Sequence, residues 1–167
     1  MSETAQMTGL INDARDFYCE ASSADYVINM PSQTIEALPG SRVIIYERGD
    51  WRCFHCYFNE ESRSFGFKII WLRGRPFWIM SYGGECLDKA RVMPMLEATL
   101  QGTYVNRVFI GGRGPGLRIA NGLEYRNNLK PPSSFEKSSG REEIKDIETG
   151  QLLFWQEFAS HLLIEEE

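Results

Sequence analysis

Residues 51–58, WRCFHCYF, decide how the rest of the chain is read, because two cysteines flanking a histidine can belong to a metal knuckle, a nucleophilic site or a strand. A closed zinc site draws its ligands from two short pairs separated by a longer loop. Beyond this stretch the chain offers only Cys19, Cys86 and His161, each isolated, so the second pair is missing. The aromatic and small neighbours suit a pleated strand instead. In that geometry Trp51, Cys53, His55 and Tyr57 share one face and Arg52, Phe54, Cys56 and Phe58 the other. The two cysteines then point in opposite directions, and Cys53 stands about 7 Å from His55 along the strand. The stretch is read as semi-buried strand, with no metal ligand assigned and no cofactor expected.

Working outward, residues 41–58 form two strands joined at Glu47–Asp50, where Gly49 and Asp50 supply turn chemistry. The apolar runs 65–72 and 76–82 form a second hairpin through Arg73-Gly74-Arg75, which completes an antiparallel meander. Upstream, Leu10, Ile11, Ala14, Phe17 and Tyr18 predict a helix over 8–22 with Thr8 as its cap, and 23–40 reads as a connection. Downstream, Leu87, Ala90, Met93, Leu96 and Leu100 predict a helix on one stripe, with Pro94 moving its start toward 94. The run VFIGGRGPGL (108–117) fits neither the Walker nor the dinucleotide-binding glycine pattern and is read as a structural loop. A turn is expected at Asn121-Gly122 and a polar loop over 130–139. Residues 140–158 fit a hairpin turning at Thr149-Gly150, but Leu152, Trp155, Ala159 and Leu162 also fit a helix, and periodicity leaves both open.

An internal similarity bears on that choice. GFKIIWLRGRPFW (66–78) and GREEIKDIETGQLLFW (140–155) share the order glycine, charged residue two later, isoleucine, turn glycine, tryptophan. Two pseudo-repeats, roughly 41–86 and 117–163, follow from it and favour strands at the C-terminal side. The expected fold is α+β in one domain over 1–167: mainly an antiparallel sheet built from two related β-meander halves, with an N-terminal helix and a helix between the halves.

Composition bounds the function classes. A chain of 167 residues with 43% hydrophobic and 13% aromatic content holds an ordinary core without disulfides or metals. The net charge of −5 comes without a Lys/Arg cluster, so no nucleic-acid partner is expected. Arg63, Lys68, Arg73 and Arg75 read as a solvated hairpin edge. The opening MSETAQMTGL has neither a basic nor an apolar leader segment, and no apolar run reaches spanning length. A soluble, cytoplasmic protein with no membrane partner and four reduced cysteines is expected. Glu165, Glu166 and Glu167 read as a solvated acidic end.

Gly49-Asp50-Trp51, Gly66, Ile70, Trp71, Gly74, Pro76, Trp78, Met80, Tyr82, Gly84, Arg113-Gly114-Pro115, Gly140, Glu142, Ile144 and Gly150 together resemble the pattern of an uncharacterised bacterial domain family of unknown function. Its members occur alone or behind XRE-type helix-turn-helix regulators. The resemblance covers residues 41 to about 160 and implies no particular activity. Lys68 stands where that family tends to carry Glu, and Ser81 where it tends to carry Asn.

The sequence offers a candidate ligand set: Trp51, Tyr57, Trp71, Trp78, Tyr82 and Trp155 as aromatic lining, with His55, Lys68 and Glu142 as polar anchors. Equivalent positions in the two halves lead to an expected Lys68–Glu142 pair. The function expected is small-ligand binding or sensing, the alternative a protein-interaction or homodimeric module without catalysis. Glu85, Asp88, Glu142, Glu143 and Asp146 form no recognisable acid pair, and the common hydrolase and deaminase motifs are missing, so catalytic residues stay unassigned.

Overall fold

The computed structural model describes residues 3–26 and 30–164, so the acidic end at 165–167 and part of the expected connection lie outside the described residues. Helix α1 (Glu3–Tyr26) is followed by β1 (Gln33–Ile35), β2 (Leu38–Arg48), β3 (Trp51–Glu60), β4 (Arg63–Leu72) and β5 (Arg75–Cys86). Then come α2 (Lys89–Val105), β6 (Leu117–Ala120), β7 (Leu123–Leu129), β8 (Lys137–Asp146) and β9 (Leu152–Leu162). All strands join one nine-stranded sheet in the order β1-β2-β3-β4-β5-β9-β8-β7-β6, antiparallel throughout.

Local chemistry fixes the hairpins. Arg73 and Gly74 carry φ of 51° and 79°, and Asn121 and Gly122 carry 52° and 75°. Consecutive positive φ values mark the turn whose twist matches that of the flanking strands, and glycine and asparagine adopt them at low cost. Alternation along each strand then divides the sheet into two faces. Trp51, Cys53 and His55, Lys68 and Ile70, Trp78, Met80 and Tyr82, and Glu142 and Ile144 point to the inner face, where both helices pack. Phe17 of α1 lies against Trp51, and Tyr18 meets Trp78 edge-on at 5.1 Å between centroids. Trp78 is fully buried, stacks on Phe135 and donates its indole N–H to the Phe135 carbonyl at 2.7 Å.

Two registers coincide across the middle of the sheet. Gly66, Tyr82, Phe158 and Gly140 form one continuous row over β4, β5, β9 and β8. The β4/β5 ladder shifts after Ile70 and the β8/β9 ladder after Ile144, each four residues past its glycine. A Cβ on Gly66 would meet the Tyr82 ring at 2.6 Å, and one on Gly140 the Phe158 ring at 2.9 Å, so both glycines seat an aromatic ring from the next strand.

The structure corrects several sequence expectations. Helix α1 runs beyond 8–22 at both ends, and Thr8 does not cap it: its hydroxyl bonds the Thr4 carbonyl inside the helix. Residues 33–35 and 38–40, read as connection, are strand. Helix α2 begins at Lys89 with Asp88 as N-cap, its side chain accepting from the Arg91 N–H. Pro94 sits inside it, and the carbonyl it leaves without an intrahelical donor belongs to Ala90, an exposed residue that water can reach. The buried stripe is Val92, Met95, Leu96, Thr99, Leu100, Thr103 and Tyr104, whereas Leu87, Ala90 and Met93 are exposed. Residues 152–162, where helix and strand were both open, are strand. Among the described residues no helix is long and apolar enough to cross a membrane.

Candidate functional site

The inner face carries charge where apolar packing would be the default. Lys68, expected on a solvated edge, is only 2% exposed, whereas Arg63, Arg73 and Arg75 are exposed. Lys68 Nζ donates to Ser22 Oγ at 2.9 Å and lies 3.4 Å from Asp25 Oδ2. Both partners come from the last turns of α1, whose buried stripe continues through Tyr18 and Ser22 to Asp25. The ammonium also faces the Tyr18 and Tyr104 rings, 5.6 and 5.9 Å from their centroids.

His55 stands beside Lys68 on the next strand and is 4% exposed. Its Nδ1 lies 2.6 Å from Asp25 Oδ2 and its Nε2 2.6 Å from Tyr82 Oη. A carboxylate only accepts, so Nδ1 carries the proton toward Asp25 and Nε2 accepts from the Tyr82 hydroxyl. Burial, reinforced by the Lys68 charge, lowers the His55 pKa to about 4 and keeps the ring neutral. Burial raises the Asp25 pKa, but Lys68 and the His55 hydrogen bond outweigh it and hold the carboxyl below its usual range. Tyr57 completes the group, its ring 5.0 Å from His55.

A second buried ion pair lies across the sheet. Glu142, completely buried, accepts from the Arg113 backbone N–H at 2.7 Å and from its guanidinium Nη2 at 2.8 Å. Arg113 enters from the glycine-rich loop 108–116, and its guanidinium sits 5.6 Å from the Tyr82 ring centroid. Asn127 anchors that loop through the Gly111 and Gly114 carbonyls. Tyr82 therefore touches both charge pairs, one through its hydroxyl and the other through its ring. Lys68 and Glu142 are not paired as expected: Lys68 goes to Ser22 and Asp25, Glu142 to Arg113.

Of the sequence-derived set, the structure unites His55, Tyr57, Lys68 and Tyr82. Trp51 and Trp78 belong to the core, Glu142 to the second pair, and Trp71 and Trp155 to the opposite, outer face. Asp25, Ser22 and Arg113 lie outside the sequence-derived ligand set, Arg113 entering the sequence reading only through the family pattern. A longer α1 would have revealed the first two, as polar residues in phase with Ala14, Phe17, Tyr18 and Ala21.

His55, Cys53 and Tyr18 are all uncharged at neutral pH. A histidine of pKa about 4 is a weak base. Burial pushes the Cys53 thiol up to about 11 and the Tyr18 phenol up to about 12, so neither supplies an anion. Among the described residues no group of three or more His, Cys, Asp and Glu side chains is placed to hold a metal ion.

The His55 environment sets a pH dependence. A folded-state pKa near 4 against about 6.5 unfolded means that the unfolded chain binds this proton first. Stability is then expected to fall as pH drops from about 6.5 toward 4, by up to ~3 kcal/mol. Denaturant titrations at pH 7 and 5 check this; an equal slope in His55→Phe removes His55 as its source.

Compared with models of protein families, with curated proteins and with solved structures, the chain matches none of them.

Proposed function

We propose that the chain is a small-ligand binding or sensing module whose ligand contacts Asp25, His55, Tyr57, Lys68 and Tyr82 on the inner face. The observation that carries this reading is the burial of an ammonium, a carboxylate and an imidazole together in the sheet's interior. Desolvating such ions costs several kcal/mol each, and apolar residues of similar volume usually serve stability as well or better. Access supports it too: Tyr57, Ser64 and Gly84 are partly exposed on the same face, beside His55 and Tyr82. The low basicity of His55 favours recognition over proton abstraction, since its Tyr82 and Asp25 partners orient polar groups without changing their charge.

The two meanders are read as related halves on the same footing, supported by the shared Gly66–Gly140 row and the matching ladder shifts. Lys68 and Glu142 then occupy equivalent positions of opposite charge, each neutralised by a residue from outside the sheet. The resemblance to an uncharacterised domain family adds no ligand to this reading.

Native mass spectrometry of freshly purified protein, set against its denatured mass, tests it. A retained small molecule that Lys68→Met releases is expected. A bare chain whose melting temperature no metabolite class shifts would sink the proposal.

A further inference from the structure

Helix α1 packs on the sheet through Ala14, Phe17, Tyr18 and Ala21, and one turn apart on a neighbouring stripe it carries Ile11 and Arg15. These two form one wall of a cleft of about 350 Å³, whose far wall includes Phe109, Phe135 and Glu136. The far wall is fixed in place. The Ser133 hydroxyl donates to the Ile110 carbonyl at 3.0 Å and ties the two loops together. The Phe135 carbonyl accepts the Trp78 indole N–H, and the Glu136 carbonyl accepts the Leu162 N–H at 2.7 Å. The rings of Phe109 and Phe135 meet edge to face at 5.1 Å, with Phe109 partly exposed.

The cleft holds two opposite charges whose needs are unmet. Arg15 Nε is shielded from solvent and has no hydrogen-bond partner among the described residues. Its nearest carboxylate, Asp16, is 3.9 Å away and is shared with Arg107 at 3.8 Å, both beyond hydrogen-bond reach. The Arg15 side chain is 41% exposed and lines the cleft, so its charge is open to a ligand there. Glu136 is exposed and has no ion-pair partner among the described residues.

We propose that this cleft binds a free α-amino acid with an apolar side chain. Its carboxylate pairs with Arg15, its ammonium with Glu136, and its side chain lies against Ile11, Phe109 and Phe135. Charge selects the class. A simple anion attracted by Arg15 would stand near the Glu136 carboxylate, and a simple cation near the Arg15 guanidinium, whereas a zwitterion satisfies both walls. The planar guanidinium fork matches a carboxylate, and a small cleft with apolar walls and few polar groups is the usual form of a ligand site. The cleft uses no side chain of the Asp25–His55–Lys68 group, and the proposal does not depend on the inner-face reading.

Isothermal titration calorimetry of the full chain with L-leucine and L-phenylalanine decides the matter, with circular dichroism confirming that each variant folds. Saturable one-to-one binding of at least one of them is expected. Its deamino and decarboxy analogues should bind at least ~10-fold more weakly, the loss of one charge-assisted hydrogen bond. Arg15→Met and Glu136→Gln, both on the cleft rim, should each weaken the amino acid by a similar factor. No binding of either amino acid up to about 10 mM overturns the site. Equal binding of an analogue overturns the zwitterion assignment, and binding indifferent to Arg15→Met or Glu136→Gln places the ligand elsewhere.

Discussion

Replacing Glu142 with Ala is expected to destabilise the protein by about 3–5 kcal/mol, the range for removing one member of a buried ion pair. Most of that cost is the stranded guanidinium of Arg113, itself only 6% exposed, rather than the lost attraction. The consequence is local before it is global. Glu142 also receives the Arg113 backbone N–H, and a Cβ on Gly112 would lie 3.1 Å from its carboxylate, so this side chain is the seat on which the loop folds. Gly112 has a φ of 67°, a conformation that glycine tolerates and that the carboxylate helps to hold in place. Urea denaturation gives the magnitude, and limited proteolysis of Glu142→Ala should cut first within residues 108–116. A loss below about 1 kcal/mol, the range of exposed pairs, would show that Glu142 does not organise the loop.

Half of this architecture was legible because its signals are local. Arg73-Gly74 and Asn121-Gly122 announce their turns with residues that accept positive φ, and the structure places hairpins at both. The C-terminal strand β9 was ambiguous for a physical reason. Its inner face interleaves Phe154 and Phe158 with buried Gln156 and Ser160, and the ladder shift at Ile144/Lys145 puts Leu153 into the core out of phase. Both features spoil the alternation that identifies a strand, leaving an accidental helical spacing. Parity also explains which candidate residues separate. Trp71 lies an odd number of residues from Lys68, so a strand through 63–72 places them on opposite faces. Asp25 was hidden by the expected end of α1 at 22, and Arg113 by its place in a loop whose tertiary position no local pattern encodes.

Replacing Lys68 with Met is expected to do more than destabilise: it should flatten the pH dependence of folding. At pH 8 the variant leaves Asp25 facing a neutral imidazole without its ammonium, and about 3–5 kcal/mol should be lost. The same change removes one of the two leading causes that depress the His55 pKa, while the Asp25 carboxylate, which raises it, stays 2.6 Å away. Burial still opposes ionisation, but a desolvated carboxylate at that distance favours the imidazolium strongly. With the folded pKa moved up toward the unfolded value of about 6.5, the linkage weakens. The wild type should weaken between pH 7 and 5 more steeply than Lys68→Met does over the same interval. The double variant Asp25→Leu/Lys68→Met has no charge left to pair, so it should regain much of the loss and return to the acid-weakened slope of a buried neutral histidine. Denaturant titrations of the three proteins at pH 8, 7 and 5 test this directly. If Lys68→Met keeps the wild-type slope, burial alone governs His55 and the ammonium has no part in holding it neutral.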